Sequence, residues 1–400
     1  MEAHPIPHSG ASEGYREGFR HEAIRVCLRV LAPLAVLKIF LLVLVIYSLR
    51  LFPLIFSEEN YRANFHWPVS APSEPSRMYR TWDSEHFIYL SEEGYHAGEP
   101  SVARFPLWPL CIRVGSFFFG GNHFHSALVL ANLLSLLAFV ALYHLIRARE
   151  SEERASAALL VLIAFPGSLF YLFPYGESLF LFIAVVFFLL QERQFRLGAA
   201  VCAFLLPLAR EAGIFIVLPI AHFLWERRGK GERLDWRDAA LMGAPIAGLA
   251  AYFLWMHHAT GDAFAGLRAQ AKILSEARVA PPLDPGAFVR ALLGWKSLHE
   301  PHGSLLDRAL FLLFLASLPF LWRRDRRFFL YALPLGVVPV ISSGFVSFTR
   351  HLALAFPIFV LWGDWLSGQS RFAWRVLTAA CLAAVQLLLL IRHVNFLWAG

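Results

Sequence analysis

Long apolar runs separated by short charged turns dominate this chain. A helix of about 17–25 apolar residues crosses a bilayer. Segments that can be placed as crossings fall at 31–56, 125–146, 155–173, 178–190, 239–256, 305–322, 328–342, 351–362 and 376–391. The segment 197–225 differs. It is long for one crossing, short for two, and interrupted by Arg210 and Glu211. Arg193 and Arg196 precede it, and Arg227, Arg228, Lys230 and Arg233 follow it. Both ends therefore favour the same side of a membrane, which predicts two short helices meeting near residues 209–213. Broken helices at membrane depth are tolerated only where they line protein or a wet cavity.

Charge fixes an orientation for this pattern. With the N-terminus inside, the inner segments are 1–30, 147–155, 191–197, 225–237, 323–327 and 367–375, carrying 20 Lys and Arg. The outer segments 57–125, 258–304, 343–350 and 392–400 carry 12, although they are longer in total. The positive-inside rule favours this arrangement. It predicts about eleven crossings and puts both long loops, 57–125 and 258–304, outside the cytoplasm. Composition agrees: 58% of residues are hydrophobic and 16% charged, with 37 Phe, 12 Trp and a mean hydropathy of +0.54. A soluble domain carries about 25% charged residues. The expected fold is all-α, a single polytopic membrane domain over 1–400. The net charge of +7 sits in clusters between apolar runs, as topology imposes, so no nucleic-acid partner is expected. Cys27, Cys111, Cys202 and Cys381 are isolated and suggest neither a zinc site nor disulfides. The first thirty residues, with His4, His8, Arg16, Arg20 and Arg25, are too long and polar for a signal-peptide n-region, so the first apolar run reads as a retained span.

Candidate chemistry concentrates in the first outer loop. Asp83, Glu85 and His86 lie within four residues, flanked by Trp82 and Phe87. A short helix over 85–94 is expected to end at Gly94. Asp83 then has two readings: the cap of that helix, or a general base taking a proton from an acceptor hydroxyl. Arg210 and Glu211 likewise read either as a pair joining two half-helices or, for Arg210, as a grip on a lipid phosphate. Tyr175 and Glu177, in a tight outer turn, are either substrate contacts or, for Glu177, a helix cap. Arg350 enters a span from outside and either snorkels to the interface or binds phosphate. Lys38, inside the first span, finds no partner in the sequence, and Arg50 lies nearer the outer end of that span. Gln270 opens the second outer loop, and Trp295, His299 and His302 follow it. His86, His96, His123, His125, His299 and His302 show no metal-binding spacing of the HExxH type. No metal ligand is assigned, although the sequence leaves a role for a divalent ion open.

Several motifs together resemble the PIG-V family, the second mannosyltransferase of GPI-anchor assembly and its prokaryotic relatives. They are Thr81-Trp82-Asp83-Ser84-Glu85-His86-Phe87, Ser91-Glu92-Glu93-Gly94-Tyr95 and Arg104-Phe105-Pro106-Leu107-Trp108-Pro109-Leu110, followed by Phe165-Pro166-Gly167-Ser168, Tyr175-Gly176-Glu177-Ser178, Ala209-Arg210-Glu211-Ala212-Gly213, Thr260-Gly261-Asp262 with Phe264 and Gln270, and Arg350-His351 through Ala355-Phe356-Pro357. The resemblance covers most of the chain from about Thr81 to Leu361. It implies a GT-C-type glycosyltransferase that moves a sugar, with mannose expected, from a polyprenyl-phosphate donor with inversion. It implies Asp83 as catalytic base, Glu85 and His86 as second choices, Arg210 and Arg350 as donor-phosphate ligands, and Trp82, Tyr175, Glu177 and Gln270 as substrate contacts. The compact loops look prokaryotic, so the expected acceptor is a glycolipid or cell-envelope glycan. The site would lie outside the cytoplasm, at the cell membrane of a prokaryote or the ER membrane of a eukaryote, among membrane lipids. Two rivals share the same residues. A lipid-linked glycan flippase also needs charged groups in a wet cavity, but tends to show repeat symmetry, and no repeat is visible here. A membrane scaffold would use its outer loops to bind another subunit.

Overall fold

In the computed structural model, the described residues are 30–51, 56, 58–276, 285–301 and 303–400. The N-terminal residues through Arg29, with Cys27, lie outside them, as do His302 and the side chain of Arg50. The described residues are almost wholly helical and form no strand; one isolated bridge joins Ser297 and Ser304. The all-α expectation therefore holds. Among the described residues, four helices are long and apolar enough to cross a membrane: His123–Arg149, Trp236–Thr260, Leu305–Arg324 and Gln369–Val394. Shorter apolar helices include Ala32–Tyr47 and Arg196–Ala209.

Several of the expected spans break into pieces, and the residues at the breaks say why. The helix Glu152–Ala164 stops before Pro166, and a 3-10 turn Pro166–Tyr171 follows. Proline cannot donate the next helical hydrogen bond. Gly167 lies in that turn, and a Cβ there would sit 2.2 Å from the Thr349 carbonyl oxygen, so two backbones approach as only glycine allows. Lys38 finds its partners here. Its Nζ donates to the Tyr171 carbonyl at 2.9 Å and to Asn132 Oδ1 at 3.2 Å. The cation of the first span thus satisfies a carbonyl freed by the break.

The segment 197–225 also breaks where its charged pair lies. The helix Arg196–Ala209 ends at Arg210, which is extended (φ −159°, ψ 154°). A 3-10 turn Glu211–Ile216 and the helix Val217–Gly229 follow. The two outer ends return to one place: Arg196 and Arg227 both donate to Asp238, at 2.9 and 2.6 Å.

That meeting point belongs to a wider belt. Arg149 pairs with Glu192 and, at 2.7 Å, with Asp325. Arg324 pairs with Glu150 and Asp364, and Arg375 with Glu153 at 3.3 Å. Residues from five of the segments assigned to the inner face therefore interlock at one end of the bundle. Two helices run from this belt to the opposite end. Glu177–Glu192 carries Glu192 in the belt and Glu177 at its far end. Arg196–Ala209 carries Arg196 in the belt and delivers Arg210 at its far end, about 21 Å away at 1.5 Å per residue. Between the ends lies an apolar core in which Phe187, Phe188, Phe314, Phe348 and Tyr171 are fully buried.

The Gly167–Thr349 approach yields a prediction, because Thr349 adjoins Arg350. Gly167→Ala should lower stability by about 1–3 kcal/mol, as overpacking does, read as an earlier thermal unfolding transition in detergent. An unchanged transition would refute the close approach.

Candidate active site

The far ends of these helices converge on Asp83. The chain reaches it through a strained step: Trp82 has φ 52° and ψ −122°, a region that non-glycine residues rarely adopt. The preceding residue is held on both sides. Tyr175 Oη donates to the Thr81 carbonyl at 3.1 Å, and the Thr81 hydroxyl lies 2.6 Å from His393 Nε2. Asp83 opens the helix Asp83–Glu92, yet its carboxylate caps nothing. Oδ1 accepts from Arg104 Nη2 at 2.5 Å, and Oδ2 from Arg350 Nη1 at 2.6 Å.

Arg350 is the centre of this network. Its Nη1 binds Asp83 while its Nε donates to Glu177 Oε1. Its guanidinium lies over the Tyr175 ring, 4.6 Å from the centroid, and 5.1 Å from that of Phe170. Glu177 Oε1 also accepts from Arg210 Nη1 at 2.6 Å, whereas its buried Oε2 has no partner. Glu177 is 1% exposed and caps no helix. Arg210 therefore pairs with Glu177 rather than with its chain neighbour Glu211, and Arg350 is buried between carboxylates rather than snorkelling. The helix Phe348–Leu354 holds Arg350 in place through buried Asp307, whose Oδ1 accepts from the Thr349 amide at 2.7 Å and hydroxyl at 2.6 Å.

Two cavities share the Asp83–Arg350 pair. A polar one of about 160 Å³ is lined by Asp83, Glu177, Arg210, Gln270, Arg350 and His351, among others. An aromatic one of about 280 Å³ is lined by Trp82, Phe170, Tyr175, Trp398 and His393, again with Asp83 and Arg350. A third space, apolar and about 650 Å³, is lined by Leu169, Tyr171 and Leu172 with Lys38 and Leu390.

Seven of the nine residues singled out from the sequence thus border the paired cavities: Asp83, Glu177, Arg210, Gln270 and Arg350 the polar one, Trp82 and Tyr175 the aromatic one. Glu85 and His86 border neither. Glu85 is fully buried and accepts from Arg77 at 3.1 Å and Arg80 at 2.7 Å, stapling the preceding loop to the helix. His86 Nδ1 lies 2.8 Å from Ser101 Oγ, and its ring stacks on Phe65. Sequence reading missed Arg104, which stands 21 positions from Asp83 and reaches it only through the fold. It also missed Trp398. The one available signal was that Arg104 opens the Arg-Phe-Pro motif.

Burial opposes ionisation of Asp83, but the guanidiniums of Arg104 and Arg350 outweigh it and hold the carboxyl well below the usual carboxylate range. Burial, helped by Arg104, pushes His86 down to about 3. Both therefore keep one protonation state near neutrality: Asp83 charged, His86 neutral. Among the described residues no group of three or more His, Cys, Asp or Glu is placed to hold a metal ion.

Removing one partner of a buried ion pair leaves the other uncompensated unless a second counter-charge remains. Arg350→Ala removes the guanidinium that Asp83 and Glu177 share, leaving each with one partner, Arg104 and Arg210, and should destabilise the protein by about 1–3 kcal/mol. Thermal unfolding of purified protein measures this, and a loss below about 1 kcal/mol, the usual worth of a surface pair, would contradict the buried lattice.

The geometry can be set beside known proteins. The chain is similar in structure to the oligosaccharyltransferase of Archaeoglobus fulgidus in its apo form, at 14% identity and a TM-score of 0.45, over 90% of this chain and 56% of that one. It is similar to the archaeal oligosaccharyltransferase AglB from Archaeoglobus fulgidus in complex with an inhibitory peptide and a dolichol-phosphate, at 13% identity and a TM-score of 0.45, over 89% and 55%. The chain spans little more than half the length of these proteins. No curated protein matches it. Its sequence, however, carries a family signature in the half that supplies Asp83, Arg104, Glu177 and Arg210: residues 41–223 match the family model described as Mannosyltransferase (PIG-V), and over that span the chain is PIG-V-like.

Proposed function

We propose that this protein transfers a sugar, mannose by its family likeness, from a polyprenyl-phosphate donor to a hydroxyl of a glycolipid or envelope glycan, at a site outside the cytoplasm. The observation that carries this reading is the shared pair: one carboxylate, Asp83, borders two cavities and is locked to a guanidinium that borders both. A transfer reaction needs a base between two substrates. Asp83 takes the proton from the acceptor hydroxyl. The oxygen attacks the anomeric carbon, the bond from that carbon to the donor phosphate oxygen breaks, and polyprenyl phosphate leaves with the bonding electrons. Attack opposite the leaving phosphate inverts the anomeric centre.

The polar cavity suits the phosphate. Arg210 and Arg350 present planar forks, which match phosphate oxygens. Their present partner, Glu177, is shared between them, so an incoming phosphate competes for both guanidiniums at once. This competition also answers a difficulty. A carboxylate held far below its ordinary range is a poor base. When phosphate draws Arg350 away, Asp83 loses one of its two counter-charges and gains basicity. Donor binding thereby prepares the base.

Asp83→Asn should abolish transfer from polyprenyl-phosphate-mannose while the protein still elutes as a folded species. Near-normal turnover by that variant would end the assignment. The pH profile offers a second check. The pKa of Asp83 in the folded protein is depressed, so its stabilising ion pairs persist above its unfolded value and fail only as pH falls through the depressed one. His86, at about 3, is already neutral. Because kcat/KM reports the free enzyme, neither group should impose an acid limb on it between about pH 5 and 8. An acid limb in that window would overturn the resting-state charge assignment.

A further inference from the structure

The aromatic cavity holds features that the phosphate chemistry does not use. Trp82 and Trp398 meet edge to face, with ring centroids 5.4 Å apart and an interplanar angle of 86°. Both line the cavity, and the Nε1 of each is buried with no hydrogen-bond partner. A buried N–H left unpaired is unfavourable and calls for an acceptor. Two backbone positions at this cavity are also strained: Trp82 at φ 52° and Ser347 at φ 59°. Strain of this kind persists where the surrounding structure enforces it, and it clusters at ligand sites. Trp398 is itself fixed, because Arg392 Nε donates to its carbonyl at 2.9 Å while Arg392 Nη2 pairs with Glu300 at 3.1 Å.

We propose that the aromatic cavity is a carbohydrate subsite that takes the pyranose ring of the acceptor, with Trp82 and Trp398 supplying ring contacts and indole N–H donors to its hydroxyls. A pyranose has one face of C–H groups and an edge of hydroxyls. The negative face of an aromatic ring attracts the former, and unpaired N–H groups serve the latter. The acceptor rather than the donor belongs here because of the charge distribution. Beyond the shared Asp83–Arg350 pair, the polar cavity adds Arg104, Glu177, Arg210 and Glu211, whereas the aromatic one adds no carboxylate side chain and no second guanidinium, only the imidazole of His393. A phosphate-linked sugar gains little from it, and a neutral ring gains most. Phe170 of the turn Pro166–Tyr171 faces this cavity, while its neighbours Leu169 and Tyr171 line the apolar one of about 650 Å³. A lipid chain attached to the acceptor sugar has room there.

The assignment to an acceptor rests on the transferase reading; the carbohydrate subsite does not, so its test is equilibrium binding. The full chain in phosphatidylcholine nanodiscs is titrated with methyl α-mannopyranoside and read by saturation-transfer NMR. Saturable binding is expected, weakened about tenfold by Trp398→Ala, as truncation of a buried Trp anchor does. Trp398→Phe, which keeps a ring and deletes the N–H, should fall between. Trp236→Ala, an exposed tryptophan at the opposite end of the bundle, should bind within twofold of the parent chain. Where Trp398→Ala elutes as aggregate, Trp398→Phe and Trp82→Phe carry the comparison. Absence of saturable binding, or binding that Trp398→Ala weakens no more than Trp236→Ala does, would overturn the proposal. Binding that depends on Trp398 in a protein that transfers no mannose would sink the transferase reading and leave the subsite standing.

Discussion

A single guanidinium organises the candidate site. Arg350 binds Asp83 through one nitrogen and Glu177 through another, and it stacks on Tyr175. Three charged groups away from bulk water cost several kcal/mol each unless they compensate one another. Compensation here draws on separate parts of the chain: the helix Asp83–Glu92, the start of Glu177–Glu192, the break at Arg210 and the helix Phe348–Leu354. None of these elements can shift alone without exposing a charge to an apolar neighbour. The ion-pair lattice therefore adds a directional constraint to elements that buried apolar side chains such as Phe87, Phe180 and Phe348 already hold together. The apolar helices below supply the driving force and the lattice supplies the register.

The same logic operates at the other end of the bundle, with a different outcome. Asp238 is buried where Arg196 and Arg227 meet, whereas the pairs of Arg149 with Glu192 and of Arg324 with Asp364 are partly exposed alternatives to hydration. Such pairs add little stability each, but they keep the helix ends in one plane. Helices that carry charge at both ends and none between are held at a fixed depth. That is how Glu177 and Arg210, on two different helices, arrive at the same height. Charge placed at the ends of apolar segments thus sets the site geometry.

Much of this was legible in the sequence because the signals were energetic rather than local. Ionised residues inside apolar runs are expensive, so Lys38, Arg210 and Arg350 stand out by their surroundings in the chain alone. The break at Arg210 followed from basic flanks on both sides of one apolar segment, and the gathering of the charged turns at one end of the bundle followed from where Lys and Arg cluster. What the sequence could not supply was pairing. The choice of Glu177 over Glu211 for Arg210, and of Arg104 for Asp83, depends on which helix ends meet, and no periodicity encodes that. Glu85 misled for the opposite reason. It stands two residues from Asp83, but on a helix that spacing turns a side chain away from its neighbour's face, and here it turns toward the loop and Arg77 and Arg80. Trp398 was invisible because an aromatic residue near a chain end carries no chemical signature of its own.

The lattice also bears on why a base would be kept so thoroughly paired. An unpaired carboxylate beside a reactive phosphate-linked sugar would accept a proton from water as readily as from an acceptor. A carboxylate bound by two guanidiniums is inert until one of them is withdrawn. In the proposed transfer, a competing anion withdraws Arg350, and the phosphate of the proposed donor is such an anion. The unpartnered Glu177 Oε2 fits this arrangement. It leaves Glu177 able to retain one guanidinium through its second oxygen while the other turns to phosphate, so the carboxylate need not be stranded during the exchange. Pairing in the resting state and basicity in the loaded state are then two positions of the same three side chains, and the price of burying them secures both.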